Sequence, residues 1–170
     1  MKMKSTIRRV TNEDLEKIFT LYKTTASIPG GLARAEDEIT LAYVSNFVDL
    51  SLARGISLVV ESGEDIVGEM HAYWPGIKVF NHVLSELTIC IHPDHQGQKL
   101  GRMLFLAFMD TVENEMQEIK RVELIARESN AKAITFYQSL GFEIEGCLKN
   151  RINGTLDKLE HDIPMGWIRG

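Results

Sequence analysis

Apolar and polar residues follow two different periods along this chain, and stretches of the two periods succeed each other throughout its length. Strand-like alternation, or a short continuous apolar run between turn residues, predicts seven strands. Their bounds are 5–10, 56–61, 66–74, 83–91, 121–126, 142–148 and 156–167. Turn residues at 62–65 and at Asn153-Gly154 predict hairpins, so most neighbouring strands are expected to pair antiparallel.

Helical spacing of apolar residues predicts four helices between these strands. Thr11 and Asp14 have the spacing of a capping box before the first helix, and Gly141 is expected to end the fourth in a left-handed conformation. Residues 24–34, which contain Pro and two Gly, are predicted to form a loop. The helices are defined by the stripe Leu15-Ile18-Phe19-Tyr22, the stripe Ile39-Tyr43-Phe47, residues 98–118 and residues 130–140.

The resulting order, β-α-α-β-β-β-α-β-α-β-β, predicts an α/β (α+β) fold in which helices flank a mixed, mostly antiparallel central sheet. A chain of 170 residues is close to the length of one domain, and no linker rich in Pro, Gly or Ser divides it. Its 44% hydrophobic and 25% charged residues exclude a disordered chain. Residues 1–170 are therefore predicted to form a single domain.

The charge balance and the cysteines narrow the class of protein. Lys and Arg number 19 and Asp and Glu 24, which gives a net charge of −5 without a basic block. This balance argues against nucleic-acid binding and favours a cationic small molecule or peptide as ligand. Cys90 and Cys147 form neither a disulfide framework nor a metal site, which predicts a reducing compartment and no metal. No apolar run approaches the ~18 residues of a membrane span, and residues 1–10 lack a signal peptide's apolar core. We expect a cytoplasmic protein that does not associate with membranes.

Residues 86–102 contain the most informative pattern, in which a strand is followed by a polar loop with two glycines and then a long helix. Backbone N–H groups at such a helix start have no internal partners, and with the helix dipole they favour an anion such as pyrophosphate. Gly97 and Gly101 allow close approach of the backbone, and Lys99 and Arg102 add positive charge at the rim. The other interpretation is a plain strand–loop–helix connection with surface Lys and Arg. Neither a Walker loop nor a Rossmann fingerprint is present.

Two sequence blocks resemble the GNAT-type N-acetyltransferase family. The loop Gln96-Gly97-Gln98-Lys99-Leu100-Gly101, after a strand that ends in Ile91-His92-Pro93, is similar to the family's acyl-CoA loop, Gln/Arg-x-x-Gly-x-Gly/Ala. Lys99 replaces the middle Gly of that pattern, and we expect the replacement to be tolerated if its φ is negative. Residues 128–142 match the family's Asn-x-x-Ala-x-x-x-Tyr-x-x-x-Gly-Phe pattern at every defined position.

The resemblance implies acetyl transfer from acetyl-CoA to a primary amine of a small molecule or peptide by direct attack, without a metal. It implies that backbone groups of one strand hold the pantetheine arm and that the loop holds the phosphates. A homodimer formed through sheet edges is also common in the family. The cofactor-binding residues implied are Ile89, Cys90, Ile91, Gln96, Gly97, Gln98, Lys99, Leu100, Gly101, Arg102, Asn130, Ala133 and Tyr137.

Glu86 and Tyr137 are the catalytic candidates. A carboxylate in an apolar strand suits a general base, directly or through water, and Glu86 matches the strand position of a catalytic Glu in many relatives. The alternative is an edge-facing, solvated Glu or one that is bonded to a neighbouring strand. His71, His82 and His92 are rival candidates for the base, although each is expected in an ordinary surface or turn position. The resemblance makes Tyr137 the acid that protonates the thiolate; the alternative is a core aromatic. Cys90 is not favoured as a covalent acyl carrier, because a buried strand Cys is usually inert.

The identity of the acceptor stays open at this point. The 24–34 loop and the 74–76 turn are expected to flank the acceptor pocket, with Tyr73, Trp74 and Phe80 as its aromatic candidates. The acidic run 36–38 either attracts a cationic acceptor or is a solvated helix start. Polyamines, amino acids, aminoglycosides, xenobiotic amines and protein N-termini all remain compatible. A non-catalytic acyl-CoA-binding regulatory module on the same fold is the alternative function.

Overall fold

A computed structural model describes residues 5–170, which form eight strands and four α-helices. The prediction that residues 1–10 contain no signal peptide falls partly on Met1–Lys4, which lie outside the described residues. The helices are α1 (Leu15–Ala26), α2 (Leu41–Arg54), α3 (Leu100–Glu115) and α4 (Ala131–Ser139). The strands are β1 (Thr6–Arg9), β2 (Gly55–Ser62), β3 (Asp65–Tyr73), β4 (Val83–Ile91), β5 (Arg121–Arg127), β6 (Glu143–Ile144), β7 (Leu148–Asn153) and β8 (Leu159–Ile168).

The strands form one mixed sheet in the order β1-β2-β3-β4-β5-β8-β6, and β7 pairs with another part of β8. Every described pair is antiparallel except β4 with β5, which run parallel. The predicted fold class, helices on a mostly antiparallel mixed sheet, is thus confirmed. Among the described residues, no helix is both long and apolar enough to span a membrane.

Helices cover the sheet on both faces because its central strands carry apolar residues on both sides. Leu58 and Val60 of β2 belong to the cluster that contains Phe105 and Phe108 of α3, whereas Val59 belongs to the cluster with α1 and α2. All five side chains are at most 4% exposed. Burial of this kind contributes about 1.5–3 kcal/mol per large side chain, so the sheet is a rigid support for any site at its edges.

The loop predicted at 24–34 begins only at residue 27, after the end of α1. Helix α1 continues to Ala26, because its buried stripe of Ile18, Leu21 and Tyr22 extends to Thr25. The Thr25 hydroxyl donates to the Leu21 carbonyl oxygen (2.8 Å) within the helix. At the other end of α1, the capping box is present: the Thr11 amide donates to an Asp14 carboxylate oxygen (2.8 Å). A single 3₁₀ turn at Asn12–Asp14 precedes the α-helix itself.

The predicted strand 142–148 is wrong, because only two of its residues form β6 and a separate strand, β7, follows. The Glu145 amide donates to the Pro164 carbonyl oxygen (2.9 Å), but Pro164 has no N–H to return a hydrogen bond, so the ladder ends there. The tight turn predicted at Asn153-Gly154 is a longer connection with Leu156 and Asp157 in left-handed conformations (φ 60° and 55°).

Candidate active site

Strand β4 contains a β-bulge at Glu86. His71 of β3 pairs with Thr88 and Tyr73 pairs with Ser85, so Glu86 and Leu87 together face the single residue Ala72. Glu86 has φ 54°, a left-handed conformation that costs a non-glycine residue roughly 1–3 kcal/mol and that clusters at functional sites. The bulge turns the Glu86 side chain outward, and it is exposed. Its predicted role as base was argued from burial, and the Glu86 side chain is not buried. It does line two clefts, which suits a role as base.

Strands β4 and β5 separate directly after their first two residue pairs, Val83 with Arg121 and Leu84 with Val122. Beyond this point a cleft of about 230 Å³ opens between them, lined by residues 85–88 and 123–125. The edge of β4 that faces β5 has no further strand partner in the described part of the chain. Ile89, Cys90 and Ile91 lie in this unpaired half, as a strand that holds an extended ligand through its backbone requires.

The loop after β4 directs a row of backbone amides outward at the start of α3. The His92 ring accepts from the Asp94 amide (3.2 Å) and the Gln96 side chain donates to the Ile91 carbonyl oxygen (3.3 Å), which folds the loop onto the end of β4. The amides of residues 97–102 donate to no acceptor among the described residues, and the first backbone bond of the helix is from the Met103 amide to the Lys99 carbonyl oxygen (3.0 Å). Such an amide row with the positive end of a 16-residue helix favours an anion.

Two positions in this loop have left-handed backbones. Gly97 has φ 74°, as expected for glycine in a tight loop. Lys99 has φ 64°, so the condition under which its replacement of glycine was expected to be tolerated, a negative φ, is not met. The left-handed turn is required for the chain to enter α3, and Lys99 adopts it at the strain that a side chain brings. Gly101 is helical, and a side-chain carbon there would meet Ile89 and Ile91 only at ordinary contact distance.

Lys99→Gly is expected to raise the free energy of unfolding by about 0.5–1 kcal/mol, because glycine relieves the left-handed strain and its own entropy cost is smaller. Urea unfolding followed by circular dichroism measures the change. Lys99→Ala is the matched control, since it removes the side chain but keeps the strain. Equal stability of the two variants would contradict this account of the loop.

The second sequence block forms α4 and its N-terminal cap. The Asn130 side-chain oxygen accepts from the Ala133 amide (3.3 Å), so both predicted cofactor residues take part in a helix cap. The Tyr137 ring packs on Phe105 of α3 (ring centres 5.0 Å apart) and on Phe142 (6.1 Å). Burial raises the pKa of the Tyr137 phenol, which keeps its proton in place at neutral pH. Tyr137 does not line the cleft of about 230 Å³ between β4 and β5.

The side chains at the start of α3 differ in their contacts and in their exposure to solvent. The Arg102 guanidinium lies over the Phe136 ring (4.6 Å to the ring centre) and is exposed at the start of α3. Leu100 is buried in the core, so it can serve a ligand only through its amide. Lys99 is exposed. The two cations thus lie at the rim of the amide row, as predicted for an anion site.

A second cleft, of about 250 Å³, lies on the other side of the β4 bulge, and we call it the acceptor cleft. Glu86 and Tyr73 line it, which places the predicted base and one predicted aromatic side chain together. The 24–34 loop contributes its last residues, as predicted. The full lining is Tyr22, Leu32, Ala33, Arg34, Tyr43, Asn46, Phe47, His71, Tyr73, Glu86 and Thr88.

Several predicted residues lie outside the acceptor cleft. Trp74 faces the Arg54 guanidinium (5.4 Å) and Phe80 is 46% exposed. Residues 36–38 form an exposed 3₁₀ turn in which Glu38 accepts from the Ala35 amide (2.8 Å), as in the solvated helix start considered above. Cys90 is buried, and burial raises the pKa of its thiol to about 12, which supports the inert interpretation.

The floor of the acceptor cleft is a buried polar network that sequence analysis missed. The Glu69 carboxylate is 0% exposed and accepts from the Tyr22 hydroxyl (2.6 Å) and the Ser57 hydroxyl (2.6 Å). The His71 ring, 2% exposed, lies with Nδ1 at 3.0 Å from the same carboxylate and stacks on Phe47 (ring centres 4.1 Å apart). The surface or turn position predicted for His71 is therefore wrong. Two polar residues at i and i+2 in an apolar strand were the signal available in the sequence.

Tyr22→Phe is expected to lower the free energy of unfolding by about 1–3 kcal/mol, because it leaves a buried carboxylate oxygen without its donor. Denaturant unfolding at neutral pH measures the loss. Tyr73→Phe is the control, since no side-chain hydrogen bond from the Tyr73 hydroxyl is found in residues 5–170. A loss as small as that of the control would show that the network does not stabilise the fold.

The fold is shared with solved N-acetyltransferases. A GNAT-family acetyltransferase from Streptococcus pneumoniae superposes with a TM-score of 0.84 at 19% identity, over 98% of this chain and 100% of that one. The ribosomal-protein-S18-alanine N-acetyltransferase of Escherichia coli gives 0.74 at 23% identity, over 97% and 94%. The Salmonella typhimurium protein yncA, solved with its cofactor acetyl-CoA, gives 0.74 at 21% identity, over 97% and 94%. The architecture thus defines the class as the N-acetyltransferase fold.

Sequence comparison identifies the family. The model of the acetyltransferase (GNAT) domain matches residues 53–144, more than half of the chain, so this protein belongs to the GNAT acetyltransferase family. The [ribosomal protein bS18]-alanine N-acetyltransferase of Escherichia coli K12 is 40% identical over 86 residues, which are 49% of this chain and 56% of that protein. Its Salmonella typhimurium LT2 counterpart is 38% identical over the same length. The match therefore spans about half of these relatives.

Proposed function

We propose that this protein transfers the acetyl group of acetyl-CoA to a primary amine of a small molecule or peptide. The observation that carries the proposal is the unpartnered amide row of residues 97–102 directly beyond the strand edge that β4 leaves unpaired. An extended amide-containing arm fits the strand edge, and a pyrophosphate fits the amide row. Acetyl-CoA combines both features in one molecule, and no metal is needed to bind it.

The cofactor is held chiefly by backbone groups in this proposal. The amides of Ile89 and Ile91, which face the unpaired edge while the Cys90 amide faces β3, bind the pantetheine arm. One of them donates to the acetyl oxygen as negative charge develops there. Asn130 retains a free side-chain N–H₂ for the same arm while its oxygen caps α4. The loop amides bind the phosphates, with Lys99 and Arg102 at the rim.

The reaction requires a base and an acid on opposite sides of the thioester. Glu86 takes a proton from the acceptor ammonium, directly or through water, and the free amine attacks the thioester carbonyl carbon. The C–S bond then breaks, its electron pair leaves with sulfur, and the phenol of Tyr137 protonates the thiolate. The nitrogen of the adduct gives up its second proton to a water molecule as the amide forms. The Tyr137 phenol is protonated at neutral pH, so it carries the proton that the step needs.

Turnover distinguishes the enzyme from a non-catalytic acyl-CoA-binding module. Calorimetry should show binding of acetyl-CoA in either case, whereas only the enzyme releases free thiol when amines are added. A panel of amino acids, polyamines, aminoglycosides and peptides with free N-termini covers the acceptor classes. Binding without thiol release from any of them would favour the module.

The name of one relative supports a class of acceptor, and the free cysteines support a location in the cell. The Escherichia coli relative is named for alanine of a ribosomal protein, which supports a peptide amine as one acceptor class to test. Cys90 and Cys147 are both unpaired, in agreement with action in the reducing cytoplasm. Homodimer formation stays a prediction.

A further inference from the structure

The acceptor cleft contains one cation and one anion that have no charged partner. Arg34 forms no ion pair with any described carboxylate, although residues 36–38 are acidic and close in sequence. Its guanidinium instead lies over the Tyr43 ring, 4.2 Å from the ring centre, which holds it at the cleft wall. Glu86 likewise has no ion-pair partner in the described part of the chain. By contrast, the ion pairs of the fold use Arg8, Arg9, Arg121, Arg127 and Arg151.

Both charges act on the same side chain within the cleft. Burial raises the pKa of the Tyr73 phenol, Glu86 and Tyr43 raise it further, and Arg54 and Arg34 lower it. Arg34, Tyr73 and Glu86 all line the same cleft of about 250 Å³. This volume is below the roughly 300–1,000 Å³ of sites for drug-sized ligands. The cleft therefore matches a small molecule with an ammonium and an anionic group.

We propose that the acceptor is a small amine that also carries a carboxylate, with a free amino acid as the simplest member of the class. The ammonium lies at Glu86 and the carboxylate pairs with Arg34, whose planar guanidinium can bind it through two parallel hydrogen bonds. A polyamine would bring positive charge to Arg34, and a peptide N-terminus would leave Arg34 without a carboxylate next to the amine. The proposal rests on the proposed acetyl transfer and specifies its acceptor.

The test compares free amino acids with their carboxamides, which keep the amine but lose the negative charge. With acetyl-CoA held constant, kcat/KM from thiol release is expected to be at least tenfold higher for the carboxylates. Arg34→Gln should bring that ratio close to one. Arg54→Gln should preserve the ratio, because Arg54 also lies over an aromatic ring (Trp74, 5.4 Å) but does not line the cleft.

Three results would overturn the proposal. Equal kcat/KM for carboxylates and carboxamides, an unchanged ratio in Arg34→Gln, or acetylation of peptide N-termini alone would each refute the charged-acceptor assignment while the proposed acetyl transfer stands. If no amine of any class led to thiol release, the proposed function would be refuted as well.

A second inference follows independently from the buried network under the cleft. An ionised Glu69 can only accept hydrogen bonds, so a neutral His71 ring in contact with it carries its proton on Nδ1 and has a lone pair on Nε2. No hydrogen bond to Nε2 is found in residues 5–170. In the same residues, the side-chain N and O atoms that are both buried and without a partner are Arg54 Nε and His95 Nδ1, so Nε2 is not fully buried. Nε2 therefore reaches the solvent-filled cleft that His71 lines.

We infer that His71 is a second proton acceptor in acetyl transfer, positioned by Glu69. Two protons must leave the acceptor nitrogen: one before attack, and one from the tetrahedral adduct R–NH₂⁺–C(O⁻)(CH₃)–S–CoA. His71 Nε2 takes this second proton through a water molecule as the C–S bond breaks and sulfur is protonated by Tyr137. The charged and titratable groups that face His71 are Glu69 and Tyr73 on β3, Tyr22 on α1, Tyr43 on α2, Arg34 on the loop and Glu86 on β4.

NMR of the ¹⁵N-histidine-labelled wild type tests the tautomer without any change to the fold. Neutral His71 should carry its proton on Nδ1, and the Nε2–H tautomer would overturn the inference. His71→Gln should lower kcat about 10²-fold and change the shape of the pH–rate profile, because a proton acceptor is removed. Added imidazole should partly restore His71→Ala. Exposed His82→Gln is the control, and a wild-type pH profile in His71→Gln would also refute the role.

Discussion

Tyr137→Phe is expected to lower kcat by about 10²-fold or more, because it removes the proton that the leaving thiolate needs. The variant keeps the aromatic ring that packs on Phe105 and Phe142. It also loses no hydrogen bond found among the described residues. The free energy of unfolding and the Kd for acetyl-CoA should therefore stay unchanged.

Steady-state thiol release with the best acceptor measures the effect of Tyr137→Phe. A wild-type kcat would remove Tyr137 from the mechanism and leave it as a packing residue of α4. A loss of activity together with a loss of stability would show that the hydroxyl supports the fold, and would equally contradict the assignment.

Glu86→Gln is expected to lower kcat/KM by about 10²-fold or more, because glutamine has the size of glutamate but cannot accept a proton. The bulge should survive, since Gln meets the same left-handed strain as Glu at φ 54°. The activity lost should be partly regained at high pH, where more of the acceptor amine is already neutral. The pH dependence of thiol release for both proteins measures this.

The control for Glu86→Gln is Glu64→Gln, in the exposed turn between β2 and β3. Affinity for acetyl-CoA should be the same in all three proteins. If Glu86→Gln retains the wild-type rate at every pH, Glu86 is not the base, and another proton acceptor such as His71 would have to take its place.

The local patterns predicted the elements well where a single period dominated. Strand β4 has the predicted bounds, and the loop that follows it leads into α3 as the GNAT-type block implies. The capping box of Thr11 and Asp14 was also readable, because it depends on a side chain bonding to backbone within three residues. Such short-range hydrogen bonds need no knowledge of the tertiary structure.

The features that the sequence did not reveal depend on contacts between distant elements. The bulge at Glu86 arises from the register between β3 and β4, and no residue type in VLSELTICI requires it. The roles of Tyr22 and Phe47 depend on how α1 and α2 pack over Glu69, so a helical stripe read as core also lines a cleft. The end of β6 depends on Pro164, which lies about twenty residues away in the chain.

The most direct test of acetyl transfer is to measure both products in one reaction of the purified protein, acetyl-CoA and an amine panel that includes free amino acids. The account predicts that free CoA thiol and N-acetylated amine form in equal amounts, at a rate that depends on both substrates. Tight binding of acetyl-CoA with no N-acetylated product from any amine would contradict it.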